Sequence, residues 1–347
     1  MNKCLEVAEM FLSSIGRIPI TCFPIGSGLI NKTYCVEDAL NMRYVLQQVN
    51  TEVFKKPLVL EANLNLLLKG FKSHNEGCVL PENLACKGKR MINVNGMYWR
   101  MYHYIEGEVF DTTNDSFIAG LASGALAKFH CQGKDVLLND FQECIPYFTD
   151  FEYRLKSLRH ALENGIPDRI STSKDFYLEL RQHFYLVDSY LKVERTLPVR
   201  LIHGDPKISN FIFNTSCNQI NSIIDLDTIG KGTVLYDFGD MVRSFANKSK
   251  ENETVRGFLL NKEVLFSIYE NYLNKTQDVL TDLEKNNLGL GCSVVTLVQS
   301  IRFYTDYLIG DIYYQTDSEM ENLVRARNQF QLFKELSEVK YWGLNKK

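Results

Sequence analysis

Several features that mark large classes of protein are missing from this sequence. No apolar window reaches about 18 uninterrupted residues, so no transmembrane helix is expected. The 39 Lys and Arg residues nearly balance the 42 Asp and Glu residues, and the formal net charge of −3 gives no overall attraction to nucleic acid or anionic membranes. These absences predict a globular protein with no nucleic-acid or membrane partner, and no obligate protein partner is evident.

The cysteines show no metal-binding or redox pattern. The nine residues are scattered, odd in number and without a CxxC pair, which argues against a zinc knuckle or a thioredoxin-like site. Scattered thiols in a chain of 347 residues are typical of a reducing compartment. The first residues, MNKCLEVAEMFLSSIG, carry an acid within their apolar stretch and predict a short amphipathic helix, not a signal peptide. A cytoplasmic location is therefore expected.

A Walker A loop, which needs GxxxxGK[ST] before a helix, is also missing. Instead, Gly26, Ser27 and Gly28 form the tip between two short β-like segments in CFPIGSGLINKTYCV. Bare backbone at such a turn can approach phosphate groups closely, as in the hairpin lid of a kinase. An ordinary turn has the same composition, so this motif leaves both interpretations open.

The N-terminal part of the chain combines strands with one helix. A strand is predicted over Arg43–Val49 and a helix over Leu58–Phe71, directly after Pro57. The Asn95-Gly96 pair predicts a hairpin between two further strands. This order of elements predicts a compact mixed lobe.

The rest of the chain has mainly helical spacing. Helices are predicted over Ser116–Gln132 and Phe176–Leu191, and almost throughout from Asn252 to the C-terminus. The boundary is expected near Tyr104–Gly107. The sequence thus predicts an α+β protein, with a small antiparallel-sheet lobe at residues 1–104 and a larger, mainly helical lobe at 105–347.

One strand-like region interrupts the helical half and carries polar residues. LIHGDPKISNFIF places Asp205 five residues before Asn210, and the following IIDLDT delivers Asp225. An Asn and an Asp on neighbouring loops supply hard oxygen ligands, which suit Mg²⁺ together with phosphate oxygens. The remaining acid, Asp205, is a candidate base that orients a hydroxyl and accepts its proton during phosphoryl transfer.

Each neighbouring polar residue has a structural interpretation, and some have a functional one as well. His203 is expected to brace the loop, and Asp237 in YDFGD to cap or brace the following helix. Asp227 is either a second metal contact or a strand-end cap. Lys207 either neutralises the transferring phosphate or is a solvated loop residue.

The combination HGDxxxxN followed by IDxD resembles the aminoglycoside phosphotransferase and choline kinase family, relatives of protein kinases. The strings GSG.IN.T, VLQ..N, HGD.K..N, IDLDT and YDFGD are most similar to those of the N-acetylhexosamine 1-kinases. The resemblance extends from the Gly-rich hairpin to the C-terminal helices. It implies a two-lobed protein-kinase-like fold, with a nucleotide-binding N-terminal lobe and a C-terminal lobe that carries the catalytic loop and substrate site.

Carried over by position, the resemblance makes Asp205 the catalytic base and Asn210 and Asp225 the ligands of Mg²⁺ on ATP. Glu61 is then the acid of the first long helix, but its usual lysine partner on the third strand is replaced by Gln47. The segment MYHYI, with Tyr102 and Tyr104, corresponds to the hinge that holds adenine. Together with Gly26, Ser27 and Gly28, these residues are the expected ATP contacts.

The acceptor site is expected on the segment SIRFYTDYLIGDIYY. Arg302 and Asp306 are four residues apart on one helix face, which fits either an exposed salt bridge or a sugar pocket. The resemblance assigns Arg302 and Tyr313 to the sugar ring, and Asp306 is a third candidate.

The expected reaction is ATP- and Mg²⁺-dependent phosphorylation of the anomeric hydroxyl of N-acetylglucosamine or N-acetylgalactosamine. An aminoglycoside or choline kinase shares the same catalytic residues and differs in the pocket. A catalytically inactive, kinase-like binding protein is the alternative of another class, favoured by the missing lysine.

Overall fold

The computed structural model describes residues 3–26, 30–71 and 80–340. They form two compact units. The first unit comprises Met1–Glu108, Val136–Pro146 and Ile212–Gly230, and the second comprises Val109–Asp135, Tyr147–Phe211 and Lys231–Lys347. The first segment of the first unit therefore ends at Glu108, and two later segments also belong to this unit.

A five-stranded antiparallel sheet organises the first unit, in the order β1-β2-β3-β5-β4. Its elements are α1 (Lys3–Leu12), β1 (Pro19–Pro24), β2 (Lys32–Asp38), β3 (Arg43–Gln48), α2 (Pro57–Phe71), β4 (Met91–Val94) and β5 (Met97–His103). The Asn95-Gly96 pair joins β4 to β5 with positive φ at both residues, as the predicted hairpin requires. The N-terminal helix, the third strand and the helix after Pro57 are likewise confirmed.

The sheet has a buried core on the face that α1 covers. Val7 and Phe11 of α1 are packed with Val36, Leu46 and Trp99 from three central strands. Burial of such side chains stabilises each by roughly 1.5–3 kcal/mol relative to exposure. The sheet is thereby fixed in register, with Gln47 of β3 opposite both Thr33 of β2 and Arg100 of β5.

Two returning segments complete the first unit. The hairpin β7 (Phe211–Phe213) and β8 (Ile220–Ile223) is tied to the end of the N-terminal segment by two backbone hydrogen bonds between Glu108 and Phe213, each 2.9 Å. Asn63 of α2 similarly donates to the carbonyl of Gln142 at 2.8 Å. These segments thus join the first unit through partners that are distant in sequence.

The second unit is mainly helical. Its elements are α3 (Ser116–Gly133), α4 (Phe151–Asn164), α5 (Pro167–Thr172), α6 (Lys174–Leu180), α7 (Phe184–Glu194), β6 (Arg200–Ile202), β9 (Gly230–Gly232), α8 (Val234–Phe245), α9 (Lys262–Thr276), α10 (Asp282–Ile309) and α11 (Glu321–Ser337). The strand β6 packs against α3 and α8, and α10 packs against α8 and α11. The α+β class is therefore confirmed.

The structure bears on two further predictions, the helix over Phe176–Leu191 and the Gly-rich tip. The single helix expected over Phe176–Leu191 is wrong, because a 3₁₀ turn at Arg181–His183 separates α6 from α7. Of the Gly-rich tip, Gly26 has a positive φ of 74°, whereas Ser27 and Gly28 lie outside the described residues.

A close crossing of α8 and α10 positions the functional side chains of the second unit. A Cβ atom on Gly239 of α8 would lie 2.7 Å from the carbonyl oxygen of Gly291, and one on Gly291 would lie 2.6 Å from that of Leu235. Only glycine allows this approach without displacing backbone. None of the described helices is long and apolar enough to cross a membrane.

Candidate active site

The loop that follows β6 carries Asp205 and is held by one buried carboxylate. Gly204 has a φ of 87°, a left-handed conformation that favours glycine. Asp237, on α8 and fully buried, accepts hydrogen bonds from the backbone N–H groups of His203 at 2.6 Å and Gly204 at 2.8 Å. Charge-assisted bonds of this kind are stronger than neutral ones, so the loop conformation is well determined.

A second layer fixes Asp237 in turn. His130 of α3 lies with Nε2 2.9 Å from the Asp237 carboxylate and Nδ1 2.7 Å from the hydroxyl of Tyr272. All three side chains are buried. With Nε2 donating to the carboxylate, Nδ1 can accept from the tyrosine, and every polar atom of the chain of bonds has a partner.

Asp205 itself presents a partly exposed side chain, with 31% of its surface accessible. The ammonium of Lys207 lies 3.2 Å from Oδ2 of Asp205. The backbone N–H of Asp205 donates to Nδ1 of His203 at 3.3 Å. The carboxylate is thus accessible to a ligand while its main chain is braced from below. A carboxylate that accepts a proton from a bound small molecule requires both this access and this fixed main chain.

Asn210 lies at the end of a 3₁₀ turn, Ile208–Asn210, in the same loop. Its Nδ2 donates to the backbone carbonyl of Asp205 at 2.8 Å and approaches Oδ2 at 3.4 Å. The amide orientation is therefore set, and the amide oxygen is the atom that can ligate a cation. A hard amide oxygen suits Mg²⁺, so the residue fits the metal-ligand role expected from the sequence.

Asp225 belongs to the first unit and follows β8. It has a φ of 59° and directly precedes a 3₁₀ turn, Leu226–Thr228. The left-handed region is uncommon for residues other than glycine, although Asp adopts it more readily than most. The charges of Asp227 and Asp225 both raise the pKa of Arg100, so the three side chains lie in one electrostatic environment.

Asp227 is almost completely buried and fully engaged. The guanidinium of Arg100 binds both of its oxygens, with Nη2 to Oδ2 at 2.8 Å, and Asn31 donates to Oδ2 at 2.7 Å. Burial would lower the pKa of Arg100, but Asp227 holds it above its ordinary value. Arg100 was not singled out by the sequence, because its partner is 127 residues away along the chain.

Gln47 occupies the position of the missing lysine and contacts Arg100 instead. Its Oε1 accepts from Nε of Arg100 at 3.0 Å, and its Nε2 donates to Oγ1 of Thr33 at 3.2 Å. Glu61 of α2 accepts from the backbone N–H of Arg90 at 2.7 Å. The two positions that form an ion pair in protein kinases thus have separate polar partners here.

The two tyrosines expected in the hinge, Tyr102 and Tyr104, lie on and just after β5. Arg100 lies 5.4 Å from the ring centroid of Tyr102, and burial raises the pKa of Tyr102 to about 12. Tyr104 stacks with the guanidinium of Arg43 at 4.3 Å and donates its backbone N–H to the Arg43 carbonyl at 3.1 Å. Both rings are therefore held by arginines of the sheet.

A narrow cleft, with a cavity volume of only about 10 Å³, lies in the second unit. Its lining combines aromatic, aliphatic and polar side chains: Phe148, Phe151, Tyr236, Asp240, Val295, Val298, Gln299 and Arg302. Burial raises the pKa of Asp240, Arg243 opposes the shift, and the nearby charge of Asp205 adds to it. The cleft and the candidate base therefore share one electrostatic environment.

Arg302 is the principal cation of this cleft. It donates to Oε1 of Gln299 at 2.9 Å and lies 5.5 Å from the ring of Phe148 and 5.8 Å from that of Tyr314. The pair with Asp306 that the spacing allowed does not occur among the ion pairs of the described residues. Among the residues that the structure describes, the partly buried guanidinium lies beside aromatic faces and has no carboxylate within ion-pair distance.

Asp306 and Tyr313 have different environments. Asp306 is 3% exposed and accepts backbone N–H groups from Ile312, Tyr313 and Tyr314 at 2.8–3.1 Å. These bonds shape the loop after α10. Tyr313 is half exposed and packs edge-on against Tyr314 with ring centroids 4.8 Å apart.

Solved structures of three kinds of kinase are similar to this chain. An aminoglycoside phosphotransferase from Alicyclobacillus acidocaldarius has a TM-score of 0.60 and 13% identity, covering 92% of both chains. An ethanolamine kinase from Plasmodium vivax has a TM-score of 0.60 and 16% identity, covering 91% of this chain and 84% of that one. Amicoumacin kinase in complex with AMP-PNP, Ca²⁺ and Ami has a TM-score of 0.60 and 15% identity over 96% of each.

At such identities the likeness shows the fold alone, and the expected protein-kinase-like fold is confirmed. Sequence comparison adds the family. The model of the phosphotransferase enzyme family, APH, matches residues 21–258, which is more than half of the 347-residue chain. The chain therefore belongs to the phosphotransferase enzyme family.

Proposed function

We propose that this protein transfers the γ-phosphate of ATP to a hydroxyl group of a small molecule, and that this acceptor is an N-acetylhexosamine phosphorylated at its anomeric oxygen. The observation that carries the proposal is the braced loop of Asp205, whose carboxylate is partly exposed. The charge of this carboxylate helps to raise the pKa of Asp240, which lines the cleft of Arg302. A base and an acceptor cleft in one electrostatic environment are the protein's part in phosphoryl transfer.

In this proposal Asp205 accepts a hydrogen bond from the acceptor hydroxyl and takes its proton as transfer proceeds. The acceptor oxygen forms a bond to the γ-phosphorus while the bond from that phosphorus to the β–γ bridging oxygen breaks, giving ADP and a sugar 1-phosphate. An anomeric hydroxyl is more acidic than a simple alcohol, so a carboxylate suffices as its base. Lys207, 3.2 Å from Asp205, is placed to offset charge on the transferring group.

Asn210 and Asp225 are the residues that would hold Mg²⁺. When bound, the ion neutralises charge on the ATP phosphates. Asn210 contributes an amide oxygen whose orientation is set by its bond to Asp205, and Asp225 contributes a carboxylate. Gly26, Ser27, Gly28, Gln47, Glu61, Tyr102 and Tyr104 remain the proposed surroundings of the nucleotide.

The charge of the cleft supports an acceptor that is not a cation. Asp240 is the cleft's acid, and Arg243 pairs with it at 2.9 Å. Arg302 adds a partly buried positive charge. Burial is the main cause that lowers the pKa of the neighbouring Arg154, and the charge of Arg302 lowers it further. Hydrogen-bond donors beside aromatic faces suit sugar hydroxyl and acetamido groups, whereas a cationic acceptor would be repelled.

The alternative is an aminoglycoside- or choline-type kinase. The aromatic lining of Phe148, Phe151 and Tyr236 favours it, because aromatic faces attract ammonium groups. Such acceptors also need an acid, and the charge of the cleft's Asp240 is offset in part by Arg243, which pairs with Glu251 as well. The inactive, kinase-like binding protein is supported by the missing lysine alone.

A substrate panel separates these functions. Purified protein is supplied with ATP and Mg²⁺ and with N-acetylglucosamine, N-acetylgalactosamine, glucose, choline, ethanolamine or an aminoglycoside, and ADP release is followed. The proposal expects acceptor-dependent turnover with an N-acetylhexosamine and identification of the 1-phosphate by NMR. Robust turnover of a cationic acceptor and of neither sugar would replace the sugar by the alternative, and no turnover with any acceptor would favour the inactive protein.

A further inference from the structure

The turn after β8 is held by an unusually complete set of bonds to one carboxylate. Asp227 receives two hydrogen bonds from the guanidinium of Arg100 and one from Asn31. Both partners are side chains of the first unit, and the Arg100 and Asp227 side chains are only 4% and 5% exposed. Three donors occupy most of the roughly four acceptor positions of this buried carboxylate, which therefore anchors the turn.

The side chain of Arg100 is itself fixed on its remaining face. Its Nε donates to Gln47, whose amide nitrogen is bound to Thr33, so strands β2, β3 and β5 all contribute. A lysine at position 47 would place a second cation directly opposite Arg100 in the register of β3 and β5. The glutamine and the arginine are therefore a matched pair: the positive charge is on β5, and position 47 supplies the acceptor that aligns it.

Asp225 lies two residues before the anchored acid and has a left-handed backbone, with φ of 59°. Such a conformation costs free energy in residues other than glycine and persists only where the surroundings hold it. The 3₁₀ turn Leu226–Thr228 links Asp225 directly to Asp227, and the ion pair with Arg100 fixes that turn from inside the sheet.

We propose that Arg100 is a positioning residue for the metal ligand Asp225, acting through its forked ion pair with Asp227, and that Asp227 is the anchor of this loop and does not ligate the metal. The inference rests on the proposed function, since it assumes that Asp225 binds Mg²⁺. In this inference, Arg100 on β5 supplies the positive charge that Gln47 on the neighbouring strand β3 lacks. It also decides the open question of Asp227 in favour of a structural role.

The test compares Arg100→Lys and Asp227→Asn with the wild-type protein. Binding of ADP is measured by calorimetry over a range of Mg²⁺ concentrations, together with kcat and KM in the acceptor assay. Arg100→Lys keeps the charge but loses the fork. Because partners behind a metal ligand typically contribute 10–100-fold to metal affinity, both variants are expected to need roughly tenfold or more Mg²⁺ for half-maximal ADP binding. The KM for the acceptor is expected to stay unchanged.

Asp38→Asn is the matched control. Asp38 is another buried acid of the same unit, 1% exposed, which accepts backbone N–H groups from Leu40 and Met42 in the turn between β2 and β3. Its replacement is expected to lower the melting temperature and leave the Mg²⁺ requirement unchanged. Asn31→Ala removes the neutral donor to Asp227 and serves where an Arg100 variant does not fold, with a smaller change in the same direction expected.

The outcomes are distinct. An unchanged Mg²⁺ requirement in a folded Arg100→Lys, or in Asn31→Ala where that protein replaces it, would overturn the inference. A raised requirement in Asp227→Asn alone would make Asp227 a metal ligand and would overturn it as well. Wild-type protein that binds nucleotide without any influence of Mg²⁺ would instead contradict the proposed function.

Discussion

Two arginines of the second unit, Arg302 and Arg154, lie among aromatic side chains. Arg302 has aromatic neighbours and Gln299 but no carboxylate bound to it, while Arg154 has a buried Nε without a hydrogen-bond partner in the described structure. Buried donors of this kind are costly unless a ligand satisfies them. They therefore bear directly on which acceptor binds.

Replacing Arg302 by alanine tests its role at the acceptor. One hydrogen bond from a charged donor contributes roughly 1.5–3 kcal/mol, so Arg302→Ala should lower kcat/KM for the sugar about tenfold to hundredfold while KM for ATP is nearly unchanged. Steady-state kinetics with each substrate varied measures this. Arg327→Ala is the control, because Arg327 is an exposed arginine of α11 that stacks on Phe176. Equal kinetics of the two variants would remove Arg302 from the acceptor site.

The residues that the sequence predicted are those with a local signature. HGDxxxxN places Asp205 and Asn210 on one loop, and the structure joins them by a hydrogen bond of 2.8 Å. Arg100 and His130 were missed because their partners, Asp227 and Asp237, are 127 and 107 residues away along the chain. A short sequence motif carries no information on pairs of residues so distant in sequence, because only folding of the sheet and helices brings them together.

At the scale of elements, hydrophobic periodicity predicted the helices well but not their interruptions. The stretch Phe176–Leu191 has helical spacing throughout, yet the backbone tightens to 3₁₀ at Arg181–His183. There the His183 ring packs edge-on against Phe330 and Phe333 of α11, with centroids 5.6 and 5.0 Å away. Tertiary packing determines this break, and packing partners are not visible in a local pattern.

This packing predicts a pH-dependent stability. Burial lowers the pKa of His183 from its ordinary value of 6.5, and Lys334 adds to the effect, whereas Glu179 opposes it. The unfolded chain then takes up the proton more readily than the native one, so stability is present above pH 6.5 and is lost as the pH falls through the lowered value. Denaturant unfolding between pH 7 and pH 5 should therefore show a smaller acid loss for His183→Gln than for wild type.

An exposed histidine provides the control for this measurement. His160 of α4 is exposed and does not pack against α11, so His160→Gln is the matched histidine-to-glutamine substitution. If His183→Gln and wild type lose stability in parallel over this range, the histidine is not desolvated by α11 and the assignment fails.

At the scale of the whole molecule, segments that are distant in sequence belong to one compact unit. The strand-rich and helix-rich parts were predicted, but Val136–Pro146 and the β7–β8 hairpin return to the first unit through contacts such as the ladder between Glu108 and Phe213. Consequently the proposed metal ligands, Asn210 and Asp225, belong to different compact units although only fifteen positions separate them. Phosphoryl transfer from ATP to a hydroxyl group of a small molecule is the central claim of the proposed function.

The most direct test of that claim is phosphoryl transfer by wild-type protein and by Asp205→Asn, followed by ³¹P NMR with ATP, Mg²⁺ and N-acetylglucosamine or N-acetylgalactosamine. Wild type should form ADP and a new phosphoester only when both Mg²⁺ and the acceptor are present. Loss of the base should lower kcat by roughly 10²–10⁴-fold with little change in KM for ATP. Transfer by Asp205→Asn at a rate near that of wild type would contradict the central claim.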